Sequence, residues 1–301
     1  MKIDPVLRSI VRVRSLIPED AFTATTLGTV REGSGVVIRE DGVILTIGYL
    51  ITEANEVWLT TPDGKAIAGH VLAYDQRSGF GLVQTLGRLD LPPVELGDSA
   101  KAGIGDPVLF ADSAGMSVKA TILAKQEFAG YWEYLLDEAI FTVPAHHSWG
   151  GAALIGSDGR LLGIGSLLLQ MAQNDKVADI NMSMPINLLP PILDDLLKRG
   201  QSRVPPRPWL GVFAAERTGE VVVMSVAKGA PAAQAGLRSG DVISDIRNEQ
   251  VHGLADFYRK VWGSGPAGVD VPMRILRGGC DTWLRIKSGD RNSFLKKPQL
   301  Q

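Results

Sequence analysis

The sequence predicts a mainly β protein that ends in a small α+β domain. Short apolar runs separated by turn residues recur roughly every 8–12 residues, and this pattern continues to about residue 185. At Ile186–Arg199 the pattern changes, because leucine and isoleucine then fall at helical spacing. Strands that follow one another without intervening helices favour a β-barrel or sandwich over a parallel α/β sheet.

Two hairpins support the β part of this prediction. An Asp-Gly turn joins Val36–Ile38 to Val43–Thr46, and a second Asp-Gly turn joins Glu56–Thr61 to Lys65–Tyr74. Two β-rich runs joined by such a turn are a strong local signal for a hairpin. Before them, Val11–Ile17 alternates apolar and basic residues, as a half-buried strand does.

The helical segment and the residues after it indicate a second domain. We expect a helix over Ile186–Arg199, with Asn187 as its cap and Gly200 as its C-terminal stop. The next stretch, Gln201–Pro208, is rich in Pro and Arg and is typical of a linker. Beyond it, Trp209–Asp290 has its own succession of strands, turns and helices, which predicts a separate small domain.

Composition and charge restrict the partners that we expect. The chain has 301 residues, 45% of them apolar, and a net charge of −2, which gives no reason to expect nucleic acid or an anionic membrane as partner. The single cysteine, Cys280, excludes an internal disulfide. No membrane span is expected, because the longest apolar run, Leu161–Met171, is broken by two glycines and a serine. The first twenty residues show no apolar h-region, so we expect no signal peptide in this chain.

A series of short motifs extends over nearly all of the chain. They are Gly33–Ile38, Asp41–Thr46, Leu96–Ser99, Gly105–Val108, Gly150–Ala152, Asp158–Arg160, Arg207–Val212 and Ala235–Ile243. In this order they resemble the HtrA/DegP-like bacterial serine proteases. The resemblance implies a trypsin-like double β-barrel followed by a PDZ domain. It places the trypsin-like domain at residues 1–187, the helix and linker at 188–208, the PDZ domain at 209–291 and a C-terminal tail at 292–301.

The resemblance also shows where this chain departs from an active protease. In the family, the general-base histidine follows the Asp-Gly hairpin, and Tyr49 stands at that place here. A phenol with a pKa of about 10 cannot accept the proton of a serine at neutral pH as an imidazole can. The position of the orienting aspartate falls on Gly79, while the preceding aspartate of the motif is kept as Asp75.

The nucleophile position is replaced as well. Trp149 lies directly before the Gly150-Gly151 pair, where the family has its serine, and Ser148 lies one place too early. If Ser148 is instead aligned with the nucleophile, Trp149 becomes an insertion that moves the glycine pair away. In both alignments His146 or His147 replaces a glycine that helps to shape the oxyanion hole, and losing one donor there costs roughly 10²–10³ in rate. No functional catalytic residue is therefore expected at Tyr49, Gly79 or Trp149.

Several interpretations of these residues remain open. His147 and Ser148, with His146, form either a new Ser/His dyad, a loop that occludes or contacts a ligand, or a solvated loop. No acid is evident in the sequence to fix a histidine tautomer, and no spacing matches a metal motif, so neither a metal site nor a cofactor is expected. The resemblance implies that Tyr49 and Trp149 point into the cleft between the two barrels. There they either plug the cleft or line a pocket for a peptide or small ligand.

The C-terminal domain keeps more of its family's pattern. In PDZ domains a Leu-Gly loop presents backbone N–H groups to a terminal carboxylate, and the next strand pairs with the peptide. The alternative is that Leu210 and Phe213 are core residues and that the protease domain closes the groove. Leu254–Trp262 carries Phe257, Tyr258 and Val261 at helical spacing and would form the other wall of the groove. The resemblance assigns peptide binding to Trp209, Leu210, Gly211, Val212, Phe213, Ala214, Phe257 and Val261.

The function predicted from the sequence is that of an HtrA-like pseudoprotease. It would act as a scaffold or regulator that binds C-terminal or extended peptide segments of other proteins. One alternative is an active endopeptidase of protein quality control with a non-standard site around Ser148. Another is a chaperone-like or decoy subunit that assembles with itself or with an active relative. The resemblance implies the periplasm, and the lack of an export signal leaves the cytoplasm open.

Overall fold

The computed structural model of the chain describes residues 4–173 and 176–297. These residues form two compact units, and the second is assembled from two separate stretches of chain. Residues 1–3 of the predicted first domain and 298–301 of the predicted tail lie outside the described residues. The first unit takes in residues 4–126, 138–173, 176–202 and 295–297, and the second takes in 127–137 and 203–294.

The first unit begins with a closed barrel of six antiparallel strands. Along the barrel the strands follow the order β1-β2-β3-β6-β5-β4, and β4 pairs with β1 to close it. Its interior is filled by aliphatic side chains such as Val13, Leu45, Leu59 and Leu82, all of which are fully buried. The elements are α1 (Asp4–Leu7), β1 (Ile10–Leu16), α2 (Ala24–Leu27), β2 (Val30–Val37), β3 (Val43–Ile47), β4 (Glu56–Thr60), β5 (Ala66–Tyr74) and β6 (Phe80–Thr85).

Both hairpins predicted from the Asp-Gly turns are confirmed in this barrel. Strands β2 and β3 pair with Val36 opposite Leu45, and β4 and β5 pair with Val57 opposite Gly69. The first turn requires glycine at position 42, where φ is 83° and a Cβ atom would lie 2.1 Å from a side-chain oxygen of Thr85.

A second closed barrel of six antiparallel strands completes the first unit. Its strands follow the order β10-β11-β12-β9-β8-β7, and β7 pairs with β10. Phe110, Ile122, Ile140 and Leu154 form part of its core. The strands are β7 (Pro107–Ala111), β8 (Ser117–Gly130), β9 (Tyr134–Val143), β10 (Ala153–Ile155), β11 (Leu161–Gln173) and β12 (Lys176–Pro185). The two barrels form the trypsin-like double barrel that the resemblance implies.

The helix predicted after the barrels is present, but it begins later than expected. A 3-10 turn at Ile186–Leu188 precedes α3 (Pro190–Arg199). The predicted stop is confirmed, because Gly200 adopts the left-handed conformation at φ 70° and its N–H donates to the Leu196 carbonyl. The predicted cap is wrong, because the Asn187 side chain instead accepts a hydrogen bond from the Ser99 N–H at 2.9 Å.

The second unit is an α+β domain, as predicted. Its sheet has the strand order β13-β14-β15-β17-β18, with β16 paired to β15. Helix α5 packs its buried Phe257 and Tyr258 into a core that includes Val271 and Met273 of the sheet. No helix in the described part of the chain is long and apolar enough to cross a membrane. The elements are β13 (Val212–Arg217), β14 (Glu220–Val226), α4 (Pro231–Gln234), β15 (Val242–Ile246), β16 (Glu249–Gln250), α5 (Leu254–Trp262), β17 (Asp270–Arg277), β18 (Cys280–Lys287) and a 3-10 turn at Arg291–Ser293.

Candidate functional site

Tyr49 lies on a short 3-10 helix, Gly48–Leu50, that directly follows β3. The Gly48 N–H donates to the Gly79 carbonyl at 2.7 Å, which ties this helix to the turn before β6. The buried Arg31 guanidinium donates to the Tyr49 carbonyl, also at 2.7 Å. Contacts from two other segments therefore fix the main chain that carries Tyr49.

A buried polar network holds Arg31 in place. The Thr23 hydroxyl accepts a hydrogen bond from Arg31 at 2.8 Å and donates one to the Glu53 carboxylate at 2.6 Å. Burial lowers the pKa of Arg31 to about 10, against an opposing effect of the Glu53 charge. Burial acts to raise the pKa of Glu53, but hydrogen bonds from Lys296 and Thr23, among others, outweigh it and hold the pKa below its usual value. The arginine remains a cation at neutral pH and can keep its hold on Tyr49.

The Tyr49 hydroxyl is used as a structural hydrogen-bond donor. It donates to the Ser166 carbonyl at 2.9 Å, and Ser166 itself is buried. Burial raises the pKa of Tyr49 well above its usual value, against a smaller lowering by a hydrogen bond with the Trp149 side chain. The phenol and the indole therefore lie next to each other. A neutral phenol whose proton is already donated cannot serve as a general base.

Gly79 belongs to a turn that is stabilised without a carboxylate at its own position. Its N–H donates to the Asp75 carbonyl at 2.9 Å, and its φ is 78°. The Asp75 carboxylate accepts from the N–H and the hydroxyl of Ser78, at 2.8 and 2.7 Å. Asp75 is therefore occupied in closing its own turn, and Gly79 has no side chain that could orient a base.

The loop around Ser148 is organised by His146. His146 is buried and stacks on Phe110 with ring centroids 5.8 Å apart. Its backbone N–H donates to the side-chain oxygen of Asn181 at 2.6 Å. Its Nδ1 accepts a hydrogen bond from the backbone N–H of Ser148 at 3.0 Å. This bond uses the backbone of Ser148 and not its hydroxyl, which belongs to an exposed residue.

An acid does lie near this histidine, although none was evident from the sequence. The Nε2 atom of His146 is 3.9 Å from a carboxylate oxygen of Asp112, and both side chains are buried. Because Nδ1 accepts a hydrogen bond, a neutral His146 carries its proton on Nε2, on the side of Asp112. His147, the other histidine of the loop, is exposed.

Tyr49 and Trp149 line a cavity of about 730 Å³. Trp149 is half-buried and packs partly against the core of the second barrel. Within residues 4–173 and 176–297, no group of three His, Cys, Asp or Glu side chains is placed to hold a metal ion. The cavity is also lined by Arg12, Glu32, Gly33, Ser34, Thr60, Thr61, Pro62, Asp112, Ser113, Ala114, His147, Ser148 and Gly150.

In the second unit, the loop before β13 directs three backbone N–H groups at one carboxylate. The N–H groups of Leu210, Gly211 and Val212 donate to Glu133, at 3.1, 2.6 and 2.8 Å. Gly211 has a φ of 79°, and a Cβ atom there would lie 2.2 Å from the Cβ of Ala230. The loop therefore needs glycine at this position, and in this structure it holds an internal carboxylate.

The other residues predicted to bind peptide lie next to this loop in sequence or on α5. Ala214 donates its backbone N–H to the Tyr131 carbonyl at 3.0 Å, and the half-buried Phe213 ring lies 6.3 Å from the Tyr131 ring. Trp209 is buried, bonds Gly289 through its backbone and packs on Phe294. Phe257 and Val261 of α5 are fully buried in the core of the second unit.

The sequence did not predict which residues bind the N–H groups of Leu210, Gly211 and Val212. Glu133 is 77 to 79 positions from its three donors, and no local pattern links them. Tyr258 was expected in the groove wall, but its hydroxyl donates to the Gly130 carbonyl at 2.7 Å and accepts from the Glu133 N–H at 3.2 Å. The sequence does show a glutamate in a short aromatic turn between two long strands. This pattern alone does not indicate that the glutamate binds a loop elsewhere in the chain.

Comparison with known proteins agrees with this architecture. The family model of the trypsin-like peptidase domain matches residues 33–164, and that of the PDZ domain matches residues 208–287. A probable periplasmic serine endoprotease, DegP-like, from Pseudomonas putida is 26% identical to this chain and covers 82% of it. The serine protease Do-like HtrA of Bacillus subtilis is 22% identical and covers 85%. The chain is thus HtrA-like in its two domains and in the relatives that it matches.

This HtrA-like chain spans about half the length of the curated relatives it matches. The match covers 53% of the Pseudomonas putida protein and 60% of a probable periplasmic protease, do/HhoA-like, from Haemophilus influenzae, which is 24% identical over 89% of this chain. Among solved structures, the HtrA-type protease AlgW with a decapeptide has a TM-score of 0.57 at 20% identity, covering 99% of this chain and 98% of that one. The serine endoprotease from Yersinia pestis has a TM-score of 0.56 at 20% identity, covering 96% of each chain.

Proposed function

We propose that this HtrA-like chain is a pseudoprotease that binds peptides and does not cleave them. The observation that carries the proposal is the hydrogen bond from the Tyr49 hydroxyl to the Ser166 carbonyl, with the Trp149 side chain in contact with the same phenol. Acyl transfer needs a proton acceptor, a group that orients it and an attacking oxygen. At these positions the chain has a phenol, a glycine backbone and an indole.

A second candidate, an endopeptidase that uses Ser148, has one observation in its favour. His146 lies between Asp112, at 3.9 Å, and the backbone of Ser148, at 3.0 Å. However, the nitrogen that would accept the hydroxyl proton already accepts the backbone N–H of Ser148. The loop would have to rearrange before His146 could act as a base, so the pseudoprotease is favoured.

Labelling with a serine-reactive fluorophosphonate distinguishes the two candidates. The full chain and its Ser148→Ala variant are incubated with the reagent, and separately with unfolded casein. We expect no label on Ser148 and no casein hydrolysis by either protein. Label on Ser148, together with casein hydrolysis that the Ser148→Ala variant lacks, would overturn the proposal. Hydrolysis that is equal in both proteins would instead identify a contaminating protease.

The peptide-binding part of the proposal rests on the second unit. A loop with three convergent backbone N–H groups and an adjacent strand edge is suited to a carboxylate-terminated peptide. AlgW, which has the same fold, has been solved with a decapeptide and with a tripeptide. The DegP-like relatives are named as periplasmic, which favours that compartment for this chain as well.

A further inference from the structure

Residues 127–137, here called the internal segment, present a carboxylate where a bound peptide would place its own. Both oxygens of the Glu133 carboxylate are held by the N–H groups of Leu210, Gly211 and Val212, at 2.6 to 3.1 Å. These three N–H groups are the donors that such a loop would offer to a terminal carboxylate, and Glu133 uses all three.

The internal segment also uses the backbone edge of β13. The Ala214 N–H donates to the Tyr131 carbonyl at 3.0 Å, two residues before the carboxylate-bearing Glu133. This is the main-chain contact by which an extended peptide adds to a sheet edge. The segment therefore occupies the carboxylate loop and the strand edge together.

Side chains on both faces fix the segment in place. Leu135 joins the buried core of the second unit. The hydroxyl of Tyr258 bonds the main chain of Gly130 and of Glu133, and Arg259 forms ion pairs with Asp137 and Glu127. Apolar, polar and charged contacts thus accompany the carboxylate.

The backbone of Glu133 has an uncommon conformation in the turn between β8 and β9. Its φ is 56°, a left-handed value that is uncommon for a residue other than glycine and that the surrounding contacts must hold. Burial also raises the pKa of this carboxyl to about 7, against the lowering effect of its three N–H donors. Desolvation thus opposes docking, which is consistent with a contact that a ligand can reverse.

We propose that the internal segment is an intramolecular ligand of the PDZ peptide site, and that a partner with a free C-terminal carboxylate binds by displacing Glu133. This inference rests on the proposed peptide-binding function. The displaced groups define the ligand class: a terminal carboxylate for the three N–H groups, an extended backbone for β13, and an apolar side chain near the end of the peptide in place of Leu135.

The test uses the full chain and two substitutions at one position. Glu133→Ala removes the carboxylate, and Glu133→Gln keeps one oxygen acceptor and so gives a smaller effect. Glu249→Gln, the same change at an exposed glutamate of the second unit, is the matched control. Each protein is examined by hydrogen–deuterium exchange of residues 127–137 and by binding of a decapeptide library with free C-terminal carboxylates. The same library with C-terminal amides shows whether the carboxylate is recognised.

We expect Glu133→Ala to exchange the amides of the internal segment at least tenfold faster than the wild type and to bind the carboxylate library at least tenfold more tightly. The exchange rate and the affinity of Glu133→Gln should lie between those of the wild type and Glu133→Ala, and those of Glu249→Gln should match the wild type. The amide library should bind to none of these proteins. Equal binding by wild type and Glu133→Ala with an equally protected segment would overturn the inference and leave peptide binding intact. Faster exchange with no library binding would support the intramolecular docking and overturn the proposed peptide-binding function.

Discussion

Tyr49 illustrates how one side chain can replace a catalytic group and become part of the architecture. Its hydroxyl spans 117 positions of sequence to reach the carbonyl of Ser166. The resemblance predicted that Tyr49 and Trp149 would both point into the cleft between the barrels. It could not predict the acceptor, because Ser166 lies in the other barrel and carries no sequence signal for this contact.

Removal of this hydroxyl should destabilise the first unit. In Tyr49→Phe the Ser166 carbonyl loses its donor in a buried position, and an unsatisfied buried group costs about 1–3 kcal/mol. We expect a loss of about 1–2 kcal/mol in the free energy of unfolding, measured with urea. Tyr131→Phe, at an exposed tyrosine, is the control and should change the free energy by less than about 0.5 kcal/mol. Equal losses in both variants would mean that the Tyr49 hydrogen bond contributes nothing of its own.

Glu133 should make the stability of the second unit depend on pH. Burial raises its pKa from 4.5 to about 7. A carboxyl whose pKa is higher in the folded state stabilises that state below its unfolded pKa, and this contribution is lost as the pH rises toward the folded value. The charge of Arg291 acts to lower the pKa of Glu133, and burial raises the pKa of the neighbouring Tyr258 above its usual value, so Tyr258 does not titrate between pH 5 and 8.

The measurement compares the wild type with Glu133→Gln, which cannot titrate at this position. We expect the difference in free energy of unfolding, wild type minus variant, to fall by roughly 1–3 kcal/mol between pH 5 and pH 8. The subtraction removes the titration of the other carboxylates, which both proteins share. A difference that stays constant, or that grows with pH, would contradict the raised pKa.

Among the elements, those defined by local chemistry were predicted well. The first two hairpins followed from alternation and Asp-Gly turns, and α5 was expected over the residues Leu254–Trp262 that it occupies. The predicted start of α3 was wrong because of a contact with residues that are distant in sequence. Asn187 has the chemistry of a cap, yet its side chain bonds Ser99 and Asp98, almost 90 positions earlier.

The end of α3 provides a test at this scale. Gly200 has a φ of 70°, and a Cβ atom there would lie 3.1 Å from the Leu72 carbonyl oxygen. Gly200→Ala should therefore lower the free energy of unfolding by about 1 kcal/mol, read from urea or thermal denaturation. The control is Gly103→Ala, where φ is not left-handed and the nearest atom lies 3.6 Å away on a flexible side chain. If the two variants lose the same stability, the left-handed cap is not what α3 requires.

For the whole chain, the number and type of domains followed from the order of motifs. What the sequence did not predict is that the second unit includes residues 127–137. Strand pairing and helix spacing are short-range signals, whereas the contact between Glu133 and Leu210 joins residues 77 positions apart. Only the folded chain brings these groups together.

PDZ domains are often treated as cassettes that recombination or cloning can transfer at a linker. In this protein, a cut at residue 203 would leave residues 127–137 behind and give the transferred cassette a vacant anion cradle. The protein that receives the domain would need its own equivalent of residues 127–137, with an acidic side chain that reaches the three N–H groups. Domain exchanges between relatives should therefore succeed only when residues 127–137 and 203–294 are transferred together. We expect the two stretches to be inherited as a pair.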